Sequence, residues 1–251
     1  MANEIKKLGK KVKRKRIRII ITGLLITVAA AVVIIVLINI FFVVKNIETD
    51  NNTIYDTQEL IDASEITGTS IFGVNGNNVY EKIYLEYPYV SSVETEIFFP
   101  DGVKIYFYGT NAVMCVKGEG DKYIILDKDL KVLEEVSAPR EDLIIVVGTE
   151  FSDYCFGENL NNYSSDGRLI SEIFTNLELY FPDIDIKSID ITKKYAMEII
   201  LDNITIEIGN GEDIDKKMKM ARKVYDDNDP GEKAVINVKD YTKGRYRKDN
   251  I

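Results

Sequence analysis

The chain has 251 residues, 45% of them apolar, with 32 lysines and arginines against 41 carboxylates, two cysteines, no tryptophan and no histidine. The missing histidine excludes histidine-based triads, histidine general bases and the common zinc sites, and two cysteines exclude a disulfide scaffold. The net charge of −9 hides a sharp asymmetry: nine of the basic residues and one acid fall within residues 1–18, while residues 46–251 carry 22 bases and 40 acids, a net of −18.

Residues 1–18 (Lys6, Lys7, Lys10, Lys11, Lys13, Arg14, Lys15, Arg16 and Arg18 against Glu4) form a basic tail. Ile19 to Val44 then runs 26 residues without a charge, apolar on every face. As a helix it would span roughly 39 Å, enough to cross a membrane core with some tilt. A buried core helix would carry a polar stripe, and this run has none. A cleaved signal peptide is the nearer rival, because Ala29, Ala30 and Ala31 are small. Thirteen uncharged residues follow them before Lys45, so the segment reads as an uncleaved anchor. The positive-inside rule keeps the basic tail in the cytoplasm and sends residues 46–251 outside. The basic tail is explained by topology and anionic lipid, and the acidic exterior speaks against a nucleic-acid partner.

Beyond the membrane, Val44–Thr49 reads as a first strand. Asp56 and Glu59 have capping-box spacing before a short helix with Leu60, Ile61 and Ala63. A turn at Thr67–Ser70 leads to Ile71 and Phe72, and a second helix spans 77–86, with Val79, Ile83 and Tyr87 on one face and Pro88 as its stop. Period-two patterning from Val90 to Phe98, a Pro100-Asp101-Gly102 turn and Val103–Tyr108 complete a β-α-α-β-β unit over residues 45–110.

Residues 111–241 read as a β-rich domain with an antiparallel sheet and flanking helices, giving an α+β fold. Its strands are Tyr123–Leu126, Val132-Leu133, Leu143–Val147, a meander of 186–191, 195–201 and 204–208, and a last strand Ala234–Val238. One amphipathic helix spans 168–180, with Leu169, Ile173, Phe174 and Leu177 inward. Another spans 213–226, with Ile214, Met218, Ala221, Val224 and Tyr225 on one side. Residues 242–251 are left as a C-terminal tail. Cys115 and Cys155, at or near strand ends, are expected to stay unbridged.

The β-α-α-β-β order behind one anchor, with Gly68, Phe72, Pro88-Tyr89-Val90 and Phe99-Pro100, resembles the POTRA domain of the FtsQ/DivIB family of bacterial cell-division proteins. Tyr123–Asp127 with Val132-Leu133 is similar to that family's strand, turn and strand. The likeness runs from Lys6 to about Tyr241. It departs at Gly109, Thr110 and Ala112, where Glu, Arg and Pro are frequent, at Leu130, where a turn glycine is usual, and at Asn237 and Lys239, where Asp and Arg are common. The resemblance implies a bitopic, non-enzymatic scaffold of septal cell-wall synthesis without cofactor or metal. Its implied partners are small bitopic proteins of the FtsB/DivIC and FtsL kind and, through them, the septal peptidoglycan synthase. The alternatives are a POTRA component of a transport system and a membrane-tethered cell-wall enzyme.

No chemistry in the residues competes strongly with that reading. The many outer carboxylates read as a solvated surface, and the run 226–232 departs from a calcium loop at Pro230 and Asn237. The candidate site is the last strand, Ala234, Val235, Ile236, Asn237 and Val238. With no later strand to pair with it, its outer edge is expected to be open unless the tail folds back, and so to accept a partner's strand. Lys239, Tyr241, Arg245 and Tyr246 would then contact the partner's side chains.

Overall fold

The computed structural model describes residues 2–228, 231 and 233–248. It opens with helix α1 (Ala2–Phe41), in which Ile20–Ile38 is apolar and not buried by any of the described residues. At 1.5 Å per residue these 19 residues measure about 28 Å, close to a bilayer's hydrocarbon thickness. There is no linker after α1: Val43 already bridges Ser70, and Val44 N–H donates to Thr69 O at 2.9 Å.

The first domain follows as β1 (Asn46–Asn52), α2 (Thr57–Ser64), α3 (Gly76–Ile83), β2 (Val90–Phe98) and β3 (Gly102–Gly109). The sheet order is β1-β3-β2, with β1 parallel and β2 antiparallel to β3. Helix α2 begins where the sequence places a cap, with Asp56 accepting from the amides of Gln58 and Glu59. Helix α3 starts one residue earlier than its pattern suggests, because Asn75 caps it by accepting from Asn78 N–H at 2.9 Å, and it ends at Ile83, three residues short of the expected Glu86. Leu60, Ile71, Val79, Ile83, Val90, Val103, Ile105 and Phe107 form the core between helices and sheet.

The second domain is built on nine strands. In chain order these are β4 (Met114–Gly118), β5 (Tyr123–Leu126), β6 (Val132–Val136), β7 (Ile144–Phe151), β8 (Ile186–Asp190), β9 (Met197–Leu201), β10 (Ile204–Gly209), β11 (Ala234–Asn237) and β12 (Arg245–Lys248). Helix α4 (Ser165–Tyr180) lies between β7 and β8, and α5 (Ile214–Asp226) between β10 and β11. The strand order is β12-β11-β10-β9-β8-β7-β4-β5-β6.

The expected antiparallel sheet is therefore mixed. Pairs β7–β8 and β10–β11 are parallel because α4 and α5 carry the chain back over the sheet between them. The pair β4–β7 is parallel because the β5–β6 excursion intervenes. Both helices cover one face, where Ile170, Ile173, Phe174, Leu177, Met218 and Ala221 meet Ile189, Ile199, Ile206 and Ile236. On α4 the deepest position near its start is Ile170, with Leu169 only partly covered.

The opposite face carries a smaller cluster, Cys115, Ile125, Leu133 and Leu143, packed against Tyr89 of the first domain. Cys115 is buried and Cys155 exposed, each a free thiol. Lys131 fastens the same junction. Its ammonium donates to Val90 O at 2.6 Å and the Tyr80 hydroxyl at 3.0 Å, and lies 5.1 Å from the Tyr80 ring centre. Burial pushes that ammonium down to about 8, against the pull of the Asp127 charge. Tyr89 donates its hydroxyl to Glu134 at 2.9 Å, which Arg140 also approaches. Gly157 closes the contact in the left-handed region (φ +79°), where a Cβ would overlap the Tyr84 carbonyl.

Candidate protein-binding edge

Strand β11 is set between two partners. On its inner side Ala234 N–H donates to Asn203 O and Val238 N–H to Glu207 O, both at 3.0 Å, so the even-numbered residues turn their backbone toward β10. Strand alternation then turns the backbone of Val235 and Asn237 the other way, toward β12. The register agrees, pairing Val235 with Arg247 and Asn237 with Arg245.

This corrects the expectation of an open edge on Ala234–Val238: the tail folds back and covers it. The reversal is made by residues 238–244. Asp240 accepts from the Thr242 hydroxyl and amide, which hold its carboxyl below the usual range. Gly244 lets the turn press onto α5, since a Cβ there would lie 2.6 Å from Val224 Cγ2 and 2.8 Å from Met220 Cγ. Tyr246 lies against the main core, opposite buried Ile236.

The named residues divide by face. Ala234, Ile236 and Val238 are buried beneath the helices, so their side chains are structural. On the other face the register aligns Glu198, Glu207, Asn237 and Arg245 in one row and Ile200, Thr205, Val235 and Arg247 in the next. Glu207 accepts from both Asn237 Nδ2 and Lys239 Nζ at 2.6 Å. Tyr241 lies under the Lys216 ammonium, 4.8 Å from ring centre to nitrogen, and the Asp213 hydrogen bond holds Lys216 above its ordinary range.

Among the described residues, strand β12 therefore ends the sheet on this side. The sequence reading missed Arg247, Lys248 and Gly244 as parts of this edge. The alternation of Arg245-Tyr246-Arg247-Lys248 was the available signal, but four residues give too short a period to separate a strand from a frayed end. At the far end of the sheet, β6 is partly covered, since Gly157 N–H and Glu158 O both bond to Val132.

The edge differs in charge from the rest of its domain. Residues 239–248 hold Lys239, Lys243, Arg245, Arg247 and Lys248 against Asp240 alone, within residues 46–251, whose net charge is −18. Such an edge suits an extended acidic segment, with main-chain bonds for affinity and alternate side chains for selection. Among the described residues, no group of three or more His, Cys, Asp or Glu is placed to hold a metal ion. Of the run 226–232, Asp229, Pro230 and Glu232 lie outside the described residues.

Comparison with known proteins adds a lineage to this geometry. Residues 42–106 match the family model described as POTRA domain, FtsQ-type. The cell division protein DivIB of Clostridium botulinum (strain Hall) is 25% identical over 213 residues, covering 84% of this chain and 82% of that protein. That of Clostridium acetobutylicum is 27% identical over 183 residues, covering 72% of each. The DivIB protein of Clostridium tetani is 28% identical over 187 residues, covering 72% of this chain and 69% of its own length.

Proposed function

We propose that this chain, similar to FtsQ/DivIB cell-division proteins, is a single-pass scaffold of the division septum that binds other bitopic division proteins by strand addition at β12. The basic residues 1–18 support a cytoplasmic N-terminus, and the apolar helix that follows supports one crossing. The two outer domains then stand on the cell-wall side. Their partners are proteins of the FtsB/DivIC and FtsL kind, and through them the chain acts on the septal peptidoglycan synthase. Its role is to position proteins, without chemistry of its own.

The observation that carries this reading is the terminal, basic strand β12 at the end of a nine-stranded sheet whose other end is partly covered. A sheet edge supplies donors and acceptors at fixed spacing, which a partner's extended segment can match. The test is co-purification of the full chain with the two bitopic partners, before and after truncation following Lys239, together with a fluorescent fusion. The proposal expects a mid-cell band for the intact chain and loss of the partners on truncation. Undiminished binding by a truncated chain that is still folded overturns strand addition, and an even distribution around the membrane overturns the division role.

A further inference from the structure

Three phenylalanines meet where α1 enters the first domain. Phe42 is the first residue after the helix, Phe72 lies on the short turn before α3, and Phe99 follows β2. Their ring centres are 5.3 Å (Phe42–Phe72), 5.8 Å (Phe72–Phe99) and 6.1 Å (Phe42–Phe99) apart, a closed triangle. Phe42 is half-buried against the domain core, yet Phe72 and Phe99 remain 60% and 63% exposed. Ring contact at these distances is favourable, but it leaves most of two large apolar side chains facing outward.

The backbone fixes where outward is. Ile71 N–H donates to Phe42 O, Gly68 N–H to Val44 O, and the amides of Lys45 and Asn46 to Asp101 O, at 3.0–3.1 Å. Both loops that carry the exposed rings are thus tied directly to the first residues after α1, without an intervening linker. Once Ile20–Ile38 spans the bilayer, the triangle is held at its surface.

We propose that Phe72 and Phe99, backed by Phe42, insert into the outer interfacial layer of the same membrane that α1 crosses. The aromatic triangle is then a second, peripheral anchor that fixes the orientation of the first domain. Phenylalanine has no polar tip, but on interfacial segments it buries at the boundary between headgroups and acyl chains, where apolar groups gain without needing a protein partner. Exposed Lys45, next to Val44, is placed to meet lipid phosphates. A domain anchored at two points cannot swing freely about Phe41, so the sheet edge is presented at a set height and angle.

The proposal rests on α1 spanning the membrane, and its test separates the two. The chain contains no tryptophan, so each substitution supplies a single reporter. Full-length Phe72→Trp, Phe99→Trp, Ile34→Trp and Tyr195→Trp are reconstituted into phosphatidylcholine–phosphatidylglycerol vesicles, with or without lipid brominated near the headgroup end of its chains. Phe72→Trp and Phe99→Trp are expected to lose about half or more of their emission to the bromine, and Tyr195→Trp, on the exposed β8–β9 loop of the second domain, to keep its own. Ile34→Trp is read with bromine deep in the chain and must be quenched if α1 spans. Quenching of Ile34→Trp without quenching of either patch reporter overturns the peripheral anchor alone, whereas failure at Ile34→Trp overturns the spanning helix and the anchor with it. Circular dichroism of each variant confirms a folded chain.

Discussion

Replacing Lys131 by methionine probes the closed junction between the two domains that follow α1. The side chain is 8% exposed, and its ammonium has fallen from 10.5 to about 8 through burial. At about 1.4 kcal/mol per pH unit, holding that charge at neutral pH costs about 3 kcal/mol. The bonds to Val90 O and the Tyr80 hydroxyl offset the cost by about 1.5–3 kcal/mol each, so Lys131→Met should change stability at pH 7 by only about 1–2 kcal/mol. The pH dependence is the sharper readout. Because the folded value lies below the unfolded one, the unfolded chain holds more protons between pH 8 and 10.5. Stability conferred by Lys131 therefore rises as pH climbs through that window, and its penalty is fully present below it. Urea unfolding of the detergent-solubilised chain, followed by circular dichroism at pH 7, 8, 9 and 10, should show the wild type gaining on Lys131→Met by about 2–3 kcal/mol across the series. Parallel curves would refute the burial of this ammonium and with it the junction described.

Asn237→Pro removes the donor that faces β12 while sparing the β10–β11 ladder; amide exchange should quicken at Arg245 and Arg247 by at least about tenfold and stay slow at Thr205, whose backbone faces β11. Gly157→Ala forces an L-residue into φ +79° and against the Tyr84 carbonyl. It should destabilise the chain by about 1–3 kcal/mol and speed proteolysis between β3 and β4, where an unchanged rate would deny the close approach. Protease added to intact spheroplasts should remove residues 46–251 and leave the basic tail; protection of the outer domains would reverse the topology.

Strands β2 and β3 were legible almost to the residue, since alternation from Val93 onward and a Pro-Asp-Gly turn left little freedom. The cap at Asp56 was equally plain, because one side chain decides it. The direction of pairing was not legible: β10 and β11 read as strands, but whether they run parallel depends on how α5 crosses between them. Leu130 shows a different limit. It occupies the left-handed region (φ +62°) that a turn glycine takes without strain, and its fully buried side chain offsets that cost, which no local pattern reveals. Lys131 reads as one more surface lysine until the first domain closes over it. At the candidate edge, β11 and the neighbours Lys239, Tyr241, Arg245 and Tyr246 were visible, while the fold-back into β12 depended on Gly244 fitting against Val224 and Met220, a contact between segments about twenty residues apart.

Strand addition at β12 is tested most directly by site-specific photo-cross-linking in dividing cells. Photoreactive phenylalanine analogues are placed singly at Arg245, Tyr246, Arg247 and Lys248, and for comparison at Val136 on the β6 edge and Glu48 on the β1 edge. The account predicts products joining the β12 positions to a bitopic division protein, with none from the two comparison strands. Products from Val136 or Glu48, with the four β12 positions silent in a chain that still supports division, would contradict it.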